Sequence, residues 1–291
     1  MSTIAIVTDS TASLSDAYVQ DNGILVAPLY LRIDGENYRD GVDITSSAFY
    51  ERLPRCTVLP TTSQPSVGDL AAVYRQAVER GAEGIVSIHL SSGISGTVNS
   101  ARLAAEQVPE VPVAVIDTRN ASAAVQVTVE AAVHAVRQGA NLAEARVAAE
   151  EAVARQRTVF TVDTLEYLYK GGRIGGATAF FGSLLQFKPL LYFNEGRIDA
   201  LERVRRSARA MSRMVEVMEG WLPEGEPVKA VLMEAACVER AEALTELLRQ
   251  SRVHMVESQI VPLSPVIGAH VGNGTLGLCC IPMSLLEEST Q

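Results

Sequence analysis

Two stretches of this chain crowd hydroxyl side chains just ahead of an apolar helical pattern. Ser91-Ser-Gly-Ile-Ser-Gly-Thr97 follows the apolar run Ile85–Leu90, and Thr61-Thr-Ser-Gln-Pro-Ser66 precedes a pattern that starts at Val67. Free backbone N–H groups and hydroxyls at a helix N-terminus make an anion site. A plain strand-to-helix turn needs one Ser or Thr as its cap, and the first loop carries four. Its donors are neutral, so they can hold a carboxylate without the bidentate salt bridge an arginine would form. A carboxylate held in that way keeps its nucleophilicity.

Three further features carry candidate chemistry. His270 lies in Gly268-Ala-His-Val-Gly-Asn-Gly274, which reads as a flexible loop that can bring an imidazole to a ligand. Arg203, Arg205, Arg206, Arg209 and Arg213 crowd one stretch of an acidic chain; such a run is ordinarily a solvated helix face, and an anionic partner is the second reading. Lys170-Gly-Gly-Arg-Ile-Gly-Gly176 is a glycine-rich turn leading into the uncharged run Ile174–Phe187, either a core helix or a tunnel lining. Asp9, Asp117 and Asp163 each end a β-run and are followed by a hydroxyl residue, as helix caps or as polar groups beyond strand ends where α/β folds bind ligands.

Several chemistries are excluded. Gly272-Asn-Gly-Thr-Leu-Gly277 spells GxGxxG, but only fourteen residues follow it and they read as a strand, so no dinucleotide fingerprint is formed. No GxxxxGK[ST] is present for ATP. Cys56, Cys237, Cys279 and Cys280 form no CxxC and no zinc spacing, and they fit a reducing compartment. Twenty-five basic against thirty-four acidic residues give a net charge of −9, which disfavours a nucleic-acid backbone as partner. A serine hydrolase acting on a lipid ester is the competing enzyme reading, with Ser92 or Ser95 as nucleophile, His270 as base and a strand-end Asp as orienter; the GxSxG elbow is missing.

The elements that must position these residues alternate. Ile4–Val7, Ile24–Leu29, Gly84–Leu90 and Val111–Ile116 read as buried strands. Val67–Arg80, Thr97–Val108, Ala121–Gln138 and a helix capped by Asn141 carry apolar residues at helical spacing. After Arg157 the texture becomes mixed, with strands at Val159–Val162, Lys188–Phe193, Ile198–Leu201, Val228–Met233, Met255–Ile260 and Thr275–Ile281. The prediction is a two-domain α/β protein: a parallel α/β/α domain over residues 1–160 and a mixed-sheet α/β domain over 161–291. Gln259–Leu286 is uncharged and long enough to span a bilayer, yet its prolines and glycines forbid a lipid-exposed helix. The N-terminus reads as a first strand and not a signal peptide, so the expected location is cytoplasmic.

Taken in order, Ile6-Val-Thr-Asp-Ser-Thr11, Tyr38-Arg-Asp-Gly41, Thr62-Ser-Gln-Pro65, Ser91–Thr97, Leu165-Glu-Tyr-Leu168, Gly171-Gly-Arg-Ile174 and Gly268-Ala-His-Val-Gly272 resemble the DegV family, which includes the fatty-acid-binding subunits of bacterial fatty acid kinase. The resemblance implies a long-chain fatty acid buried between two α/β domains. It implies no other cofactor and no activity of the chain's own: a separate ATP-dependent kinase would phosphorylate the bound acid on its way into phospholipid. Carried over by motif, Thr62, Ser92, the Gly93 amide and Ser95 would hold the carboxylate. Arg205, His270 and Arg173 would face the kinase. Asn273 stands where the family commonly has proline; because Asn tolerates left-handed backbone, a looser loop is expected there.

Overall fold

The computed structural model describes residues 3–180 and 187–287. Its first sheet has four parallel strands in the order β2-β1-β6-β7, with β1 Ile4–Asp9, β2 Leu25–Ala27, β6 Gly84–His89 and β7 Val113–Asp117. Strands buried on both faces read as continuous apolar runs, and all six residues of β6 are buried. The second sheet has six strands in the order β10-β9-β8-β13-β11-β12: β8 Arg157–Thr161, β9 Lys188–Asn194, β10 Arg197–Val204, β11 Val228–Glu234, β12 Met255–Pro262 and β13 Leu276–Pro282. Only β11 and β12 pair in parallel. β9 and β10 form the hairpin expected around Asn194–Arg197, with an irregularity between Ala200 and Glu202.

Helices fill the layers around these sheets. α3 (Val67–Glu79) and α4 (Thr97–Glu106) pack on the outer face of the first sheet. α5 (Ala123–Arg137) and α6 (Leu142–Arg155) lie on its inner face and also touch β13 of the second sheet. Covered from both sides, α5 is buried without a break from Ala123 to Val133, with Gln126, Thr128 and Glu130 among the buried residues. α8 (Ser207–Trp221) and α9 (Val238–Arg249) cover the outer face of the second sheet. The layers therefore run helix, sheet, helix, sheet, helix. The largest apolar cluster sits in the middle, drawing Ile6, Ile88 and Val125 together with Phe160, Leu191 and Val231.

A third sheet was not expected from the sequence. β3 (Tyr30–Ile33), β4 (Glu36–Arg39) and β5 (Thr61–Ser63) form an antiparallel flap in the order β4-β3-β5, with Thr62 opposite Leu31. Short helices complete the chain: α1 (Asp16–Asp21), α2 (Ser46–Arg52), α7 (Glu166–Lys170) and α10 (Pro265–Val271). His270 is thus in the last turn of a helix and not in a loop. Ser264 caps that helix and Pro265, at its first position, needs no N–H partner. Of the run Ile174–Phe187, Gly175–Phe180 is a 3-10 helix with Ala177 buried, while Phe181, Leu184 and Leu185 lie outside the described residues.

Candidate functional site

The loop after β6 rests on a buried polar chain. Asp9 accepts from the Leu90 amide at 3.1 Å and from Thr11, and it contacts His89 Nδ1 at 3.0 Å. His89 Nε2 meets Ser87 at 2.7 Å, and Tyr74 donates to Ser87 at 2.8 Å. All four side chains are fully buried, and each polar group in the chain has a partner, the condition for burying such a network. His89 is therefore a packing residue whose hydrogen bonds anchor the start of the loop.

Above that anchor the hydroxyls divide by direction. Ser91 donates to Gly196 O at 2.6 Å, locking the loop to the β9–β10 hairpin, and accepts from the Gly93 amide. A Cβ on Gly93 would overlap Gly196 O. Ser92 is exposed and is bound by Asp117, its hydroxyl at 2.5 Å from Oδ2 and its amide at 3.2 Å from Oδ1. Ser95 Oγ lies 2.9 Å from Thr97 Oγ1 and lines a cavity.

The opposite wall brings distant segments together. Thr62 Oγ1 on β5 lies 2.7 Å from His270 Nε2 on α10. Nδ1 of His270 is buried with no partner among the described residues. A bare ring nitrogen there costs less than an orphaned N–H, which assigns the proton to Nε2 and makes Thr62 Oγ1 the acceptor. The Thr62 hydroxyl hydrogen is then free to point at a ligand. Burial, and after it the charge of Arg173, pulls the His270 pKa down to about 4. Arg173 donates to Gly171 O at 2.7 Å and to Ile94 O at 3.1 Å. Gly171 is required: a Cβ on it would overlap His270 Nδ1.

These groups share one end of a cavity of about 100 Å³. Thr62, Ser95, Arg173 and His270 line it along with Ser63 and Gln64, and Arg173 is the only Lys, Arg, Asp or Glu among the described lining residues. A Cβ on Gly96 would meet the Gln64 side-chain amide. The remainder is mostly apolar. Leu29, Leu90 and Ile94 come from the first half of the chain, and Phe160, Phe193, Ile198, Met233 and Ile267 from the second.

Four of the seven residues singled out in the sequence meet here: Thr62, Ser95, Arg173 and His270. Ser92 and Gly93 do not line the cavity; their bonds shape the loop that carries Ser95. Arg205 is also absent from the lining, and its guanidinium sits 5.4 Å from the Phe187 ring centroid. Within the arginine cluster Arg213 is bound by Glu202 and Glu216, and Arg209 by Glu216. Asn273 does not take the left-handed backbone; Gly272 and Gly274 do, with φ of 75° and 77°. Its side chain instead donates to Tyr50 O at 3.2 Å and ties the loop to α2. Among the described residues no hydrolytic triad is assembled: His270 Nδ1 has no carboxylate, Ser92 is bound by Asp117, and Ser95 by Thr97.

The architecture is that of an α/β protein with two large sheets and a small flap sheet around a mostly apolar cavity with one polar, cationic end. The chain belongs to the DegV family: the family model described as "Uncharacterised protein, DegV family" matches residues 3–283. A DegV domain-containing protein of Streptomyces coelicolor is 39% identical over 275 residues, covering 94% of this chain and 97% of that protein. Among solved structures, a fatty-acid-binding DegV family protein from Thermus thermophilus superposes with a TM-score of 0.90 at 36% identity, covering 96% of this chain and 99% of that one. A stearic-acid-binding protein from Eubacterium ventriosum gives a TM-score of 0.84 at 27% identity, covering 96% and 98%. Among the described residues, no helix is long and apolar enough to cross a membrane. Nor do His, Cys, Asp or Glu side chains among them form a group that could hold a metal.

Proposed function

We propose that this protein binds one long-chain fatty acid in the cavity and presents its carboxylate to a partner kinase, acting in the cytoplasm as a carrier without catalysis of its own. The observation that carries the reading is the polarity of the cavity: a mostly apolar space with its single cation, Arg173, beside Thr62, Ser95 and His270. The carboxylate would accept from the Thr62 and Ser95 hydroxyls, with Arg173 supplying charge. Neutral His270 would hold Thr62 oriented. The acyl tail would run among Phe160, Phe193, Ile198 and Met233.

A carrier of this kind leaves the chemistry to its partner. A carboxylate oxygen attacks the γ-phosphorus of ATP, the bond to the ADP oxygen breaks, and an acyl phosphate forms, available for phospholipid synthesis. No second reading is favoured, because no serine of the site has a base and an orienting carboxylate. Reconstitution tests the proposal: the protein, palmitate, ATP and a bacterial fatty acid kinase should yield acyl phosphate, trapped as a hydroxamate. Palmitate binding without any such product would confine the function to binding; hydrolysis of a lipid ester by the protein alone would replace the reading.

A further inference from the structure

Asp40 is a buried carboxylate that the site described above does not use. It follows β4 at 1% exposure. Its oxygens accept from Ser10 Oγ at 2.7 Å and from the Val266 amide at 3.3 Å. No basic side chain among the described residues pairs with it. Burying an anion with donors but no counter-charge is expensive, and the carboxyl pKa is pushed up to about 6, chiefly by burial. Ser10 in turn accepts from the Leu29 amide at 3.0 Å, so the carboxylate joins the turn after β1 to the start of α10.

α10 needs such a hold. Seven residues are too few for a helix to stand by itself. Pro265 offers no N–H, so the amides of Val266 and Ile267 are its first free donors; Asp40 takes one and Ser264 the other. Val266 and His270 are four residues apart, one turn along the same face. The sideways position is fixed separately, since Gly268 packs where a Cβ would come within 2.6 Å of the Tyr50 hydroxyl.

We propose that Asp40 is a positioning residue for ligand capture: by gripping the first turn of α10 it holds His270 against Thr62. The proposal rests on the reading of the cavity given above. A group that only held the fold together would lower stability when replaced. Asp40 would act differently: an unpaired buried carboxylate costs stability, and what it holds is the first turn of the helix that carries His270.

The test uses the full-length protein and palmitate. Asp40→Asn keeps the shape, removes the buried charge and loses one acceptor. Its Tm at pH 7.5 should equal or exceed the parent's while palmitate affinity falls about five- to tenfold, the loss of roughly one hydrogen bond. The same substitution made in a His270→Ala background should change affinity less than about twofold, because the residue through which it acts is gone. An arm without variants or ligand follows the His270 ring nitrogens of the parent by NMR. They should show an inflection near pH 6 as Asp40 titrates, distinct from the ring's own protonation. Asp9 and Tyr50 are the other titratable groups that interact with Asp40. A lowered Tm with unchanged affinity, an undiminished effect in the His270→Ala background, or no inflection would overturn the proposal. Should the parent take up no palmitate, the binding function falls while the NMR arm still decides the role of Asp40.

Discussion

Thr62 and His270 are 208 positions apart in sequence and 2.7 Å apart in the structure, joined through Oγ1 and Nε2. The pair couples the edge flap to a short helix from the far end of the chain. With Nε2–H as the donor, the Thr62 hydroxyl hydrogen stays free for another acceptor.

Removing either hydroxyl at the polar end should weaken fatty-acid binding without unfolding the protein. A hydrogen bond to a charged group contributes about 1.5–3 kcal/mol, so Thr62→Ala and Ser95→Ala should each lower affinity roughly ten- to a hundredfold. Thr62→Ser should restore most of it. Ser92→Ala should stay close to the parent, because that hydroxyl is committed to Asp117. Calorimetric titration with palmitate distinguishes these outcomes.

Gly171→Ala places a methyl group on His270 Nδ1. Relief requires the ring to rotate away from Thr62 or the turn to shift, at a cost of about 1–3 kcal/mol. Affinity and Tm should fall together, unlike the hydroxyl variants, where affinity falls and Tm holds. Differential scanning calorimetry alongside ligand titration checks the contrast.

The strand-rich frame was legible in the residues, and the site only in part. β1, β6 and β7 are continuous apolar runs, and α3 to α6 carry helical spacing with caps such as Asn141, so local pattern and final structure agree. The flap β3-β4-β5 escaped because its strands are three or four residues long and largely polar, and tertiary pairing decided them. α10 was hidden in a stretch rich in Gly and Pro, although Ser264-Pro265 was a usable start signal. Which hydroxyl of the Ser91–Thr97 loop faces inward depends on Asp117 and Gly196, two partners that no local spacing reveals.

Two buried groups should set opposing slopes of stability against pH. His270 is held below its ordinary 6.5, at about 4, so the unfolded chain binds its proton first. Its contribution is present above pH 6.5 and is lost as pH falls toward 4. Asp40 is held above 3.8, at about 6, so the folded chain binds that proton first. Its contribution is present below pH 3.8 and lost as pH rises through 6. Each amounts to about 3 kcal/mol, and between pH 4 and 6 they largely offset. His270→Asn should therefore gain stability on acidification, relative to the parent, and Asp40→Asn should lose it. Urea unfolding at pH 4.5, 5.5 and 7 measures both.

Arg205 is outside the cavity lining and against Phe187. Arg205→Ala should bind palmitate within about twofold of the parent, yet slow acyl-phosphate formation, since an exposed charge acts on encounter and on developing phosphoryl charge. Parallel loss of binding and turnover would place Arg205 in the pocket, and normal turnover would remove it from the kinase-facing surface.

A cavity built around a fatty acid should hold one tightly. Burying the tail of a sixteen-carbon acid is worth roughly 11 kcal/mol gross, at about 0.8 kcal/mol per methylene, before the costs of association. A protein with that affinity should leave a lipid-containing host already loaded. Native mass spectrometry of the freshly purified chain is the most direct measurement. The expected result is a mass excess equal to one fatty acid, lost on denaturation and recovered in the organic extract. A species at bare sequence mass that also fails to take up added palmitate would contradict it.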